Sequence, residues 1–194
     1  MTNEGGALSP LRLNLGCGRN RIQGWVNIDR IASEGVDLVA DITYPLPFSD
    51  DSVDEILLSH VLEHIWDALG LMQELHRIAK PDASLKIAVP YGSSDDAWED
   101  QTHVKPYFVK SFGAFAQPYY WRASYEYSGD WQAEEIALVI AERFRGQRPE
   151  EIMAAVNRER NVVSEMMAKL VAIKPAREQS MALMTQPKIT LLFE

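Results

Sequence analysis

Two features of the chain carry residue types that could do chemistry. An apolar alternation of Leu11, Leu13 and Leu15 runs into Gly16-Cys17-Gly18, and a second apolar segment, Trp25 to Ile28, ends in Asp29. A glycine pair at a strand end lets the backbone come close to a ligand, and an ionised carboxylate ending the next strand can accept two hydrogen bonds from a ribose diol. Together they suit a nucleoside-type ligand. The dinucleotide fingerprint asks for a third glycine that packs its helix on the sheet, and Arg21 stands there instead. A pyrophosphate cradle, and with it a nicotinamide-dependent oxidoreductase, is therefore poorly supported.

Further along, Val36–Asp41 reads as a third short strand ending in an acid, followed by Leu46-Pro47-Phe48, an acidic turn Ser49–Ser52, and Val53–His60 feeding Val61-Leu62-Glu63-His64. Five motifs in this order, covering about the first half of the chain, resemble class I methyltransferases dependent on S-adenosylmethionine, in the small type 11-like subgroup. That resemblance implies an α/β Rossmann-like fold and an enzyme with S-adenosylmethionine as cofactor and S-adenosylhomocysteine as product.

The resemblance also implies roles for particular residues. Gly16, Cys17 and Gly18 would approach the methionyl portion, Asp29 would hold the ribose, and Asp41 with the backbone of Ile42 would meet the adenine. Ser59 and His60 would face the methionyl chain. Asn14 replaces an acid frequent at that position in the family, and is expected at the cofactor's amino group. Arg19 and Arg21 are further candidates, for the cofactor carboxylate. His103, in Asp100–Val104, is the expected catalytic residue, with His64 as its competitor. The acceptor would be a small molecule, such as a sugar or small metabolite, methylated at an oxygen or nitrogen. The same motifs would also serve a non-catalytic protein that binds either cofactor form and acts through a protein partner.

These residues need elements to position them. Short apolar runs predict strands at 11–15, 25–28, 36–39, 55–59 and 85–89, and the spacing of Leu69, Met72, Leu75, His76 and Ala79 predicts a helix over 68–78 closed by Lys80-Pro81. Only six residues separate Gly18 from Trp25, whereas a crossover through a helix needs about a dozen. The first crossover helix must be short or absent. Aromatic residues concentrate between Tyr91 and Trp131, where the acceptor pocket is expected. A sixth strand is read at 132–141 and a last one at 188–193. Between them, Pro149 and the stripe Ile152, Val156, Val163, Met166, Met167 and Leu170 predict one long helix over 149–173, which would cover the sheet or join a homodimer.

The length of 194 residues suits one domain, with a cofactor half over 8–90 and an acceptor half over 91–194. Net charge −9 argues against non-specific nucleic-acid binding. Met1–Ala7 lacks a basic and apolar leader pattern, and no apolar run is long enough to span a bilayer, so a cytoplasmic protein is expected. The single cysteine, Cys17, cannot form an internal disulfide. Adjacent Asp95 and Asp96 point apart in an extended segment with no third ligand evident, so no metal is expected there.

Overall fold

The computed structural model describes residues 9–194, so the reading of Met1–Ala7, and Leu8 at the start of the cofactor half, lie outside the described residues. Eight strands form one sheet in the order β3-β2-β1-β4-β5-β7-β6-β8. They are β1 (Arg12–Leu15), β2 (Val26–Asp29), β3 (Leu38–Val39), β4 (Val53–Ser59), β5 (Ala79–Pro90), β6 (Trp131–Ile140), β7 (Val163–Ala172) and β8 (Lys188–Phe193). All pairings are parallel except those that β7 makes with β5 and β6. The helices are α1 (Ala68–Ile78), α2 (Asp96–Glu99) and α3 (Pro149–Val156), joined by several single 3-10 turns.

Helix α1 forms where its periodicity places it. Asp67 caps it by accepting from the Gly70 N–H at 2.9 Å, and Leu71, Met72, Leu75 and Ile78 are buried on the sheet. In its last turn, Arg77 donates to Glu74, to Asp50 and to the carbonyls of Leu46 and Phe48, which ties the acidic turn before β4 to the helix.

No helix forms between β1 and β2, as the short spacing requires. A polar network takes its place. Buried Asn14 donates from Nδ2 to the Asn20 carbonyl at 2.8 Å and to Asn27 Oδ1 at 3.0 Å. Asn27 Oδ1 also accepts from the Ile22 N–H, while its own backbone and side-chain amides donate to Asp37 Oδ2 at 2.8 and 3.0 Å. Those donors hold the Asp37 carboxyl below its ordinary range. Each buried amide finds partners, so ten residues of irregular backbone cross from one strand to the next at little desolvation cost.

The long helix over 149–173 does not form. Helix α3 stops at Val156, five polar residues follow (Asn157–Asn161), and Asn161 takes φ +54 before β7 begins. Met166, Ala168, Leu170 and Ala172 alternate inward as strand residues; the first three pair with both β5 and β6, and Ala172 with β6. The stripe read as helical is thus divided between a buried helix face (Ile152, Ala155, Val156) and the centre of the sheet. Of the two roles read for that helix, cover of the sheet and a homodimer contact, neither has a single long helix to carry it.

His76, on α1, packs edge-on against Trp131 at 5.7 Å and donates through Nε2 to the Ile173 carbonyl at 3.2 Å. Burial pushes its pKa down. The unfolded imidazole titrates at about 6.5, so this group's contribution is complete above that pH and is lost as pH falls towards the depressed folded value. Urea midpoints measured at pH 7.5 and 5.5 should therefore drop more steeply for the wild type than for His76→Gln. Parallel drops would exclude His76 as a source of the pH dependence.

Candidate active site

Chain order reverses across the β1–β4 pair, and in an open parallel sheet the crevice at such a reversal, at the carboxyl ends of the strands, is where ligands bind. Leu15 of β1 lies in register with Ile28 of β2 and Leu58 of β4, so the residues that follow these strands share one edge. Gly16–Gly18, Asp29, Ser59 and His60 are brought together there.

The turn after β1 is built by two glycines with different constraints. Gly16 has φ +64, and a Cβ on it would stand 2.5 Å from Val61 Cγ2, so the β1 and β4 loops touch at this point. Gly18 has φ +48, and a Cβ there would meet nothing within 4 Å, which leaves its face open to a ligand. Cys17 is buried, donates its N–H to the Ile28 carbonyl at 3.0 Å, and has its thiol pKa raised by burial, so it acts as a small packing residue.

Asp29 connects the two loops. Oδ2 accepts from the Gly18 N–H at 2.8 Å and Oδ1 from the Ile31 N–H at 2.9 Å. A carboxylate has about four acceptor positions, so each oxygen keeps one for a diol. Asp41, after β3, is exposed and spends Oδ1 on the Thr43 N–H and hydroxyl, which lowers its pKa. Ile42 beside it is buried. Asn14 is set back in the network beneath the turn, with both contacts of its amide nitrogen made inside the protein. Arg21 lies along Gly35 and donates to Ser33 Oγ at 3.1 Å, so it braces the β2–β3 loop.

On the other side of the crevice, His60 takes φ +54 and donates its backbone N–H to the Ala88 carbonyl at 2.9 Å. Its ring lies 3.0 Å from Glu165 Oε2 on β7 and 3.6 Å from Glu63 Oε1. His64 and His103 meet edge-on with ring centroids 4.8 Å apart. Three of the four histidines in the chain thus surround Glu63, whose side chain is 3% exposed and whose two oxygens have no hydrogen-bond partner. Burial raises the Glu63 pKa, opposed by the residue's own backbone N–H, which lies outside hydrogen-bond geometry, and by the neighbouring histidines.

Sequence reasoning placed His103 here but missed Glu63 and Glu165. Glu63 was visible as the one charge among apolar Val61, Leu62 and Ile65; Glu165 was hidden in the misread helix. Asp95 accepts from Arg160 and Asn161.

The aromatic segment divides. Tyr107, Phe112, Phe115 and Tyr120 are core, whereas Trp98 and Phe108 are largely exposed and both rest on Gly92, just beyond β5. Cavities lie to either side: about 500 Å³ between Ile42, Thr43 and the Gly70–Arg77 face of α1, and about 160 Å³ among Phe112, Tyr119, Arg177 and Met184.

A Methyltransferase domain family model matches residues 20–87, from the β1–β2 turn into β5. Among solved structures, a S-adenosylmethionine-dependent methyltransferase from Archaeoglobus fulgidus is similar at 18% identity and TM-score 0.59, with 84% of this chain and 86% of that one covered. A chain from the complex between the Haloferax volcanii Trm112 methyltransferase activator and a methyltransferase is similar at 16% identity and TM-score 0.52, covering 84% and 83%. A S-adenosylmethionine-dependent methyltransferase from Aquifex aeolicus is similar at 13% identity and TM-score 0.50, covering 84% and 82%. No curated protein sequence matches the chain significantly.

The fold is the Rossmann-like α/β fold shared with S-adenosylmethionine-dependent methyltransferases, and the match over residues 20–87 supports a methyltransferase that takes S-adenosylmethionine as cofactor. The matched segment resembles the type 11 methyltransferase domain, here without a first crossover helix. Among the described residues, no helix is long and apolar enough to cross a membrane.

Proposed function

We propose that this enzyme moves a methyl group from S-adenosylmethionine to an oxygen or nitrogen of a small polar acceptor, such as a sugar or small metabolite, in the cytoplasm. The observation that carries the reading is the pairing of Gly18 and Asp29 across the β1–β2 loops, facing a histidine-rich wall after β4 and β5. When bound, the cofactor supplies a methyl group on a sulfonium, open to in-line attack by a lone pair. Asp29 would accept the ribose hydroxyls with its two remaining acceptor positions, and the open face of Gly18 would admit the methionyl portion. Asp41 and the Ile42 backbone would border the adenine, with Ser59 and His60 along the methionyl chain. Asn14 would act from beneath, by holding the turn in shape.

His103 is the residue we assign to catalysis, at the acceptor end. It is a tenth exposed, and Nδ1 faces the Ala97 carbonyl at 3.3 Å, so Nε2 is the nitrogen left for the acceptor's side. Exposed Trp98, one residue beyond Ala97, offers an apolar face for an acceptor ring. The net negative charge supports a small acceptor over a nucleic-acid backbone.

Calorimetric titration with S-adenosylmethionine, S-adenosylhomocysteine and NAD, followed by an acceptor screen that reads release of S-adenosylhomocysteine, tests this function. The first two ligands should saturate and NAD should not. Asp29→Ala should weaken both by about 1–3 kcal/mol, the cost of unpairing a buried polar contact. Unchanged affinity in that variant would remove Asp29 from the site.

A further inference from the structure

We propose that Glu63, His64 and His103 form a binding site for one divalent first-row transition ion of the zinc or ferrous type, on the acceptor side of the crevice. Each residue offers a donor atom within 4.8 Å of the other two. Donors around a single such ion stand about 3–4 Å apart, as follows from bonds of about 2.0–2.2 Å. Small side-chain rotations would close the set.

Three observations favour an ion over a proton relay. In a relay, carboxylate and imidazole meet at hydrogen-bond distance. Here Glu63 accepts no hydrogen bond at either oxygen, and its nearest imidazole, that of His60, is 3.6 Å away, beyond a hydrogen bond. A buried carboxylate with no donor carries a desolvation cost that a cation would offset. The histidines are also held as ligands usually are. His64 Nδ1 faces the Thr102 carbonyl at 3.2 Å and His103 Nδ1 faces the Ala97 carbonyl at 3.3 Å. A carbonyl only accepts, and the Thr102 hydroxyl 3.0 Å from His64 Nδ1 gives its own proton to Asp100, so in the neutral imidazoles Nδ1–H donates and Nε2 keeps its lone pair, the arrangement that orients metal-bound imidazoles.

Two imidazoles and one carboxylate leave coordination positions open, the set found in catalytic zinc and non-haem ferrous sites. Asp100 Oδ2 lies 3.9 Å from His103 Nε2. Tyr107, whose hydroxyl lies 3.4 Å from the Leu62 carbonyl, closes the buried side. The inference rests on the acceptor-side placement of His103 proposed above: with the ion present, His103 contacts the acceptor through it.

The test uses the full chain, stripped with chelator and titrated calorimetrically with zinc chloride, with magnesium chloride in parallel. One zinc per chain is expected, with no comparable magnesium binding. Glu63→Gln and His103→Gln should each weaken zinc binding at least tenfold while S-adenosylmethionine still binds. Absent zinc binding, or zinc binding unchanged in both variants, would overturn the site. Should a variant not fold, the absorption of the cobalt-substituted wild type decides: intense visible bands of four- or five-coordinate cobalt with nitrogen ligands support the site, and the weak bands of six-coordinate aqua-cobalt overturn it. None of these readouts uses turnover, so a missing metal leaves the cofactor titration standing as a separate result.

Discussion

Asp130→Ala should lower unfolding free energy by about 3–5 kcal/mol, the usual cost of breaking a buried ion pair from one side. Asp130 is fully buried just before β6. Its Oδ1 accepts from the Gln117 N–H at 3.1 Å and Arg177 Nη2 at 2.8 Å, and Oδ2 from the Arg177 backbone N–H at 2.9 Å and Nε at 2.8 Å. One carboxylate therefore joins the turns after residue 116, the start of β6 and the segment that leads to β8. Its removal strands the Arg177 guanidinium, 19% exposed, with only Gln132 Oε1 at 2.6 Å. The double variant Asp130→Ala/Arg177→Ala should recover part of the loss, because no unpaired charge is left buried. Urea unfolding measures both; a loss below about 1 kcal/mol in the single variant would show that water replaces the carboxylate without penalty.

Gly16→Ala should cost about 2–5 kcal/mol of stability and at least tenfold in S-adenosylmethionine affinity. Two penalties combine: left-handed backbone at φ +64, about 1–2 kcal/mol for a residue with a Cβ, and overpacking against Val61, typically about 1–3 kcal/mol. Val61 is buried and branched at Cβ, so it cannot swing aside without moving the loop. Adding Val61→Ala should return the steric part and leave the backbone part. Gly18→Ala makes the contrast, since its Cβ would meet nothing and only the backbone penalty applies. Equal stability losses at Gly16 and Gly18 would refute this division.

Much of the cofactor half was legible because its signals are local. The strand ends at Gly16, Asp29 and Ser59 follow from short apolar runs stopped by glycine or an acid, and α1 from its period and the following proline. The missing crossover helix followed from counting residues. The role of Asn14 was not legible: its partners Asn20, Asn27 and the Asp37 beyond them become partners only once β1 and β2 lie side by side. The aromatic segment could not be divided into core and rim from sequence, since burial depends on what packs over each ring. Trp98 and Phe108 differ from Phe112 and Phe115 only in what lies above them.

By itself the sequence indicated the class of fold, the type of cofactor and the edge of the sheet proposed to bind it, because motif order and strand polarity are properties of neighbours along the chain. Tertiary structure decided the rest. Val163–Ala172 carries apolar residues that satisfy both a helical and an alternating period, and it is a strand because β5 and β6 leave a gap whose backbone donors and acceptors only another strand can satisfy. Asp130 finds Arg177 across 47 residues, and Glu63 finds His103 across the β4–β5 crossover. Such contacts are set by how layers pack, and no local pattern records them.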